Sequence, residues 1–291
     1  MHMHKYGSNQ ADGLRKSATE NRGPVRVIAV TGGKGGVGKT TVSVNLAMAL
    51  SRNGRRVMLL DADLSLANVD VLLGLKTKKN LSHVIAGECS LDDIVLDGPC
   101  GLKVLPASSG VKSLADITTE QSTGLIWAFG EMKTPVDDLV IDTAAGIADN
   151  VIRFSAAAQD VVVVVCDEPA SITDAYALIK ILSRDHRVGR FQILANKTNS
   201  MAEARRLYDK LSKVTARFLN VHLNFMGQIP RDSSVRKAIA RQCGVVEHYP
   251  QSRAARAFED AARVTQRWPQ ADGSRGCIEF FAERLVQGNA A

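Results

Sequence analysis

No apolar run in this 291-residue chain approaches the ~18–20 residues needed to cross a bilayer. The opening stretch, residues 1–21, is polar and lacks the apolar core of a secretion signal, so a cytoplasmic protein is expected. Cysteine is scarce and poorly arranged for pairing: five residues (Cys89, Cys100, Cys166, Cys243, Cys277), widely spaced and without a CxxC pair. That argues against a zinc knuckle or a disulfide framework and for buried free thiols in a reducing compartment. Internal repeats are lacking as well. What is present is a chain 45% hydrophobic, enough for one large α/β domain.

Charge is distributed unevenly. The net charge is +7, and the span from Lys197 to Arg256 holds twelve Lys/Arg against four Asp/Glu. Concentrated on one surface, such an excess attracts nucleic acid, acidic lipid or acidic protein; spread over solvated helix faces it does not. The residues leave the two arrangements equally open, with direct DNA binding not the expected outcome.

Apolar runs alternate with helical periodicity. Val25–Thr31, Val57–Asp61, Leu102–Leu105, Leu139–Asp142, Val161–Cys166, Phe191–Ala195 and Phe225–Ile229 read as strands, several of them apolar throughout, as strands covered on both faces are. Helices are expected at Thr40–Ser51 and around Thr123–Glu131, Ser171–Leu182, Met201–Leu219 and Ser233–Arg241. Strand–helix alternation of this kind gives right-handed crossovers and a doubly wound, mostly parallel sheet, with ligands at the carboxyl ends of its strands.

The first such end carries Gly33 to Thr40, which fits G-x-x-x-x-G-K-[ST] between a strand and a helix. Gly33, Gly35, Gly36 and Gly38 let the backbone around Val37 curl with its N–H groups inward, and the helix N-terminus adds positive potential. Lys39 supplies a mobile cation for the outer phosphates of a nucleotide, and the Thr40 hydroxyl a Mg²⁺ ligand; Lys34 and Thr41 complete the set of candidate contacts. Asp61 and Asp63 end the second core strand in LLDADLSLAN, where alternation puts their side chains on one face, and Asp142 ends LVID. One strand-end aspartate is an ordinary helix cap; three beside a phosphate loop are candidates for Mg²⁺ and water. Further on, Asn196-Lys197-Thr198-Asn199 looks like the guanine-reading NKxD element, but an amide at its fourth position cannot accept both guanine N–H bonds, so ATP is the expected nucleotide.

With its additional lysine, KGGVGKT resembles the deviant Walker A motif of the MinD/ParA/Get3 family of P-loop ATPases. The resemblance implies a single MinD-like domain over residues 23–270 and a slow, Mg²⁺-dependent ATPase. Lys34 then contacts the nucleotide of the partner subunit, so that ATP drives a homodimer. Catalysis falls to Lys34, Lys39, Asp63 and Asp142. Asp61 supports Mg²⁺ through water and Asp63 orients the attacking water. Thr40 and Asp142 hold Mg²⁺, and Gly146, in DTAAGI, offers a backbone N–H to the γ-phosphate. Asn196, Pro230 and Asp232 meet adenine.

DTAAGI, CDEPASITDAYALIK and GQIPRDSSVRKAI look most like the FlhG/FleN branch, which sets flagellar number and placement. That implies action on the flagellar SRP-type GTPase FlhF and on a FleQ-like transcription activator. Asn9-Gln10-Ala11-Asp12-Gly13-Leu14-Arg15 resembles the branch's DQAxxLR element for stimulating the GTPase, with Asn9 in place of Asp. Residues 1–22 are thus expected to be a flexible partner-binding segment that acts through Gln10, Leu14 and Arg15. A positioning ATPase for the division site, DNA or other cargo is the second reading. In residues 271–291, Ile278, Phe281, Ala282 and Leu285 recur at helical spacing. Docking of this amphipathic helix on the protein's own core is expected. Weak membrane association at the cell pole or inner membrane face is the alternative, less favoured because Glu279 and Glu283 make its polar face acidic.

Overall fold

Eight strands form one sheet in the computed structural model, which describes residues 24–63, 68–106, 118–269 and 278–287. Gln10, Leu14 and Arg15 lie outside the described residues. The strands are β1 (Arg26–Thr31), β2 (Val57–Ala62), β3 (Leu96–Asp97), β4 (Lys103–Leu105), β5 (Asp138–Thr143), β6 (Asp160–Val165), β7 (Arg190–Thr198) and β8 (His222–Pro230). Their order across the sheet is β3-β4-β2-β5-β1-β6-β7-β8. All neighbours run parallel except the edge pair β3 and β4, which is antiparallel; β3 is absent from the sequence reading because two residues carry no periodicity.

Every residue of β1, β2, β5 and β6 is buried, because helices cover both faces. Alternation sorts the side chains: Ile28 and Val30 enter one core, Val27 and Ala29 the other. The first core is closed by α1 (Lys39–Arg52), which ten buried residues hold against the sheet, together with α8 (Ser233–Ala240), α9 (Val245–His248) and α10 (Arg253–Gln266). Two short helices follow β2, α2 (Val69–Leu73) and α3 (Leu81–Ile85). The opposite face is covered by α3, α4 (Thr119–Glu131), α5 (Asp149–Ala157), α6 (Pro169–His186), α7 (Met201–Phe218) and α11 (Ile278–Gln287).

The short α5 and the Ala/Arg-rich α10 were not read from the sequence. In α10 the signal was present: Ala254, Ala255, Phe258, Ala261, Ala262 and Thr265 are buried at helical spacing. Residues 278–287, set apart from the domain in the sequence reading, join its second core. Ile278, Phe281, Ala282 and Leu285 are all at most 3% exposed, packed on α4 and α5, and Phe281 meets Phe129 edge to face at 5.8 Å between centroids. The apolar stripe considered for a membrane is covered by the protein itself.

Candidate functional site

The loop after β1 sits where strand order reverses, with β5 on one side of β1 and β6 on the other. Gly36 and Gly38 have φ of 79° and 96°, the left-handed region that glycine enters without strain. Space is restricted too. A Cβ on Gly38 would lie 2.4 Å from the Asn196 side-chain nitrogen, and one on Gly33 would lie 2.2 Å from the backbone of Asp174 in α6. Val37 is buried and anchors the loop to the first core. Two donors at the end of β7 hold its carbonyls: Asn196 Nδ2 donates to Val37 O at 2.7 Å, and Lys197 Nζ to Gly36 O at 2.6 Å. With those carbonyls engaged, the loop's N–H groups remain for an anion. In this state Asn196 is therefore a loop clamp, its Oδ1 also accepting from Lys197 N–H.

Asp61 and Asp142 are register partners on β2 and β5, so their carboxylates stand side by side at the carboxyl ends of those strands. Both are buried. The two oxygens of Asp61 accept backbone N–H groups from Asp63, Asn68 and Val69 at 3.0–3.1 Å, fastening the following loop and the start of α2. Burial nevertheless raises its pKa to about 6. Asp142 goes further, to about 7: burial dominates, against hydroxyls from Thr40 and Ser43, with Asp61 raising it and Lys39 lowering it. Ser43 Oγ donates to Asp142 Oδ1 at 2.7 Å, while the buried Oδ2 has no hydrogen-bond partner among the described residues. Lys39, 8% exposed, has its pKa lowered by burial, with Asp142 and Asp63 pulling it back up.

An orphaned carboxylate oxygen beside a hydroxyl, in a pair of buried acids, fits a hydrated divalent cation. Thr40, Asp142 and, through water, Asp61 would hold it. The electrostatics carry a prediction. A carboxylate whose pKa is higher folded than unfolded binds more protons when folded, so its contribution to stability falls as pH rises between the two values. For Asp142 that window runs from about 4 to about 7. Asp142→Asn should therefore melt higher than wild type at pH 8 in the absence of ligand, by roughly 2–4 °C per kcal/mol regained, with the gap closing toward pH 4. Scanning calorimetry across that range checks it; a gap that widens in acid contradicts the assignment.

The remaining predicted residues fall into two groups. Asp63 follows β2 and accepts from Asn68 Nδ2 at 3.3 Å. Gly146, with φ of 96°, donates its N–H to Gly32 O at 3.2 Å, tying the loop after β5 to the loop after β1. Lys34 is exposed at the loop tip and pairs with Glu168, which holds its ammonium pKa above the usual range. Thr41 lies in the first turn of α1. All of these gather around the loop. Pro230 and Asp232 lie one strand further out: Pro230 pairs with Thr198, and Asp232 accepts from Ser234 and Ala254 N–H groups as the cap of α8. Ser43, Glu168, Asp174 and Lys197 were missed by the sequence reading. Ser43 lies one turn past Lys39, and its hydroxyl marks it only once β5 is known to pass beside α1.

Residues 28–245 match the family model described as the CobQ/CobB/MinD/ParA nucleotide binding domain. The chain is 58% identical to the "Antiactivator FleN" of Pseudomonas aeruginosa, over 91% of this chain and 94% of that one. It is 36% identical to the "Flagellum site-determining protein YlxH" of Helicobacter pylori, over 77% and 76% of the two chains. Among solved structures, it superposes on the septum site-determining protein MinD of Pyrococcus horikoshii, complexed with Mg-ADP. The TM-score is 0.68 at 24% identity, over 84% of this chain and 96% of that chain.

Proposed function

Because the chain belongs to the CobQ/CobB/MinD/ParA nucleotide-binding family, in its flagellar FleN/FlhG branch, we propose that it is a slow, Mg²⁺-dependent ATPase whose ATP-bound homodimer controls flagellar number and placement. The observation that carries the chemistry is the bare Asp142 Oδ2, buried beside Thr40, Ser43 and Lys39 at the mouth of the phosphate loop. Mg²⁺, when bound, supplies charge neutralisation between the outer phosphates. Around it the chain's own groups divide the work. The loop N–H groups and Lys39 bind the phosphates. Ser43 fixes the rotamer of Asp142. Asp63 orients water for in-line attack. Gly146 N–H trades its bond to Gly32 for the γ-phosphate, so the loop after β5 moves only when a third phosphate is present. Lys34 leaves Glu168 to reach the phosphates of a second subunit, which links ATP to dimerisation.

The name of the 58%-identical relative supports restraint of a FleQ-like transcription activator as one output. Stimulation of the GTPase FlhF by residues 9–15 is the other. The proposed location is the cytoplasm, with recruitment to the cell pole or inner membrane face through partners. Two measurements test this reading. In competition, ATP should displace GTP with at least about a tenfold advantage, because Asn199, whose side chain donates to Glu203 at 3.0 Å, stands where a guanine reader needs a carboxylate. Equal affinities would overturn the base assignment. Separately, a peptide spanning Asn9–Arg15 should raise the FlhF hydrolysis rate, and a version with Gln10, Leu14 and Arg15 changed to Ala should not. No stimulation by the intact chain would remove that partner.

A further inference from the structure

A cleft of about 550 Å³ opens beyond β8, between α7 and α10. The volume suits a small ligand or a short run of peptide. β8 is the last strand of the sheet and has no neighbour on its outer side among the described residues. Arg205 of α7 forms one wall, Phe225 and Met226 the floor, and Arg253, Arg256 and Asp260 of α10 the other wall. The charges do not balance. Asp260 is already paired with Arg263, outside the cleft. The three arginines form no ion pair among the described residues: Arg253 donates to the Arg231 carbonyl at 3.3 Å and Arg256 to the Gln251 side chain at 3.0 Å, both neutral acceptors. Arg253 is partly offset by Asp232, whose carboxyl pKa its charge helps to lower. Arg205 and Arg256 have no such carboxylate among the described residues, and the three guanidinium groups around one concavity absorb part of the basic excess of residues 197–256 that the nucleotide site leaves unexplained.

The geometry also selects among anions. Arg205 lies 4.1 Å from the Phe225 ring centroid, so the ring face that could stack on a nucleic-acid base is occupied. The cationic groups line a hollow rather than a flat or convex face, which does not suit a duplex or a bilayer. Regular strand addition is disfavoured as well: the register shifts at Met226, a bulge of the kind that blunts sheet edges. Recognition then falls to side chains, and arginines suit carboxylates through bidentate bonds. We propose that this cleft is a docking site for an acidic segment of a partner protein. Its carboxylates are held by Arg205, Arg253 and Arg256, and its apolar side chains rest on Met226 and the rim of Phe225. The cleft lies away from the phosphate loop and meets the nucleotide reading only at Pro230, a lining residue that is also an expected adenine contact, so the test is run without nucleotide.

The test uses the full chain and a short fluorescein-labelled peptide of alternating Glu and Val, read by anisotropy at fixed salt. Arg205→Glu combined with Arg256→Glu should weaken binding at least about tenfold. Lys210→Glu combined with Lys213→Glu makes the same charge change on the exposed face of α7, outside the cleft, and should leave binding within about twofold. If the reversed pair is unstable, Arg205→Gln with Arg256→Gln provides the same comparison. Equal losses in the cleft and control pairs would reduce the effect to general attraction and overturn the proposal. So would equal binding of a Lys/Val peptide. Failure of the peptide to bind, while a short DNA duplex or phosphatidylglycerol vesicles bind through Arg205 and Arg256, would overturn it in favour of those ligands.

Discussion

Lys39→Ala should lose nucleotide affinity by at least about 100-fold, equivalent to about 2.8 kcal/mol. The side chain is almost fully buried under the loop, where burial already disfavours its charge and Asp142 and Asp63 restore it. A cation held this way is poised for a polyanion and is poorly compensated without one. Its removal also takes away the cation that lowers the Asp142 pKa, so that acid shifts further toward its protonated form and a metal–phosphate complex is disfavoured twice. Isothermal titration with Mg²⁺–ATP checks this, with circular dichroism to establish that the variant is folded. Affinity within a few-fold of wild type would remove Lys39 from the phosphate site.

Asp63→Ala and Lys34→Ala should separate hydrolysis from assembly. Asp63 is proposed to position water; its carboxylate accepts from Asn68 and lies near enough to Lys39 to raise that lysine's pKa. Its loss should slow turnover by at least about 100-fold, on the scale of general acid–base contributions, while ATP stays bound and the dimer accumulates. Lys34 lies on the surface in an ion pair with Glu168, so its loss costs the fold little. It should leave ATP binding by the monomer intact and abolish the ATP-linked dimer. Sedimentation with ATP separates the outcomes: dimer for Asp63→Ala, monomer for Lys34→Ala. A Lys34→Ala variant that dimerises normally, or an Asp63→Ala variant that stays monomeric while wild type does not, would sink the proposal. In cells, the trapped dimer should give fewer flagella than wild type and the monomeric variant more.

The phosphate loop and the strand-end acids were legible in the sequence because both are local patterns: glycines at fixed offsets, and aspartates that close apolar runs. The parallel sheet was legible for the same reason, since β1, β5 and β6 each carry an unbroken apolar run, VIAV, LVI and VVVVV. What escaped depends on pairs distant in the chain. Ser43 and Asp142 are 99 residues apart, and nothing in either segment names the other. The bond from Asn196 to Val37 spans 159 residues and gives a candidate base reader a second role, as a support for the loop. Gly146 was read as a phosphate contact from its motif, but its resting partner, the Gly32 carbonyl, appears only when β1 and β5 are laid side by side.

The docking of α11 has a consequence for the birth of the protein. Its slot is built from α4 and α5, and Ile278 follows the last residue of α5, Ala157, by 121 positions. At ribosomal speeds of ~5–20 residues per second, roughly 6–24 s pass before the helix that covers Phe129 has been made. During that interval one flank of the nascent sheet stays greasy and open to solvent, a surface that chaperones bind and that aggregates when crowded. Premature stops ahead of residue 278 leave it permanently so, even though every residue proposed to touch ATP has already been translated.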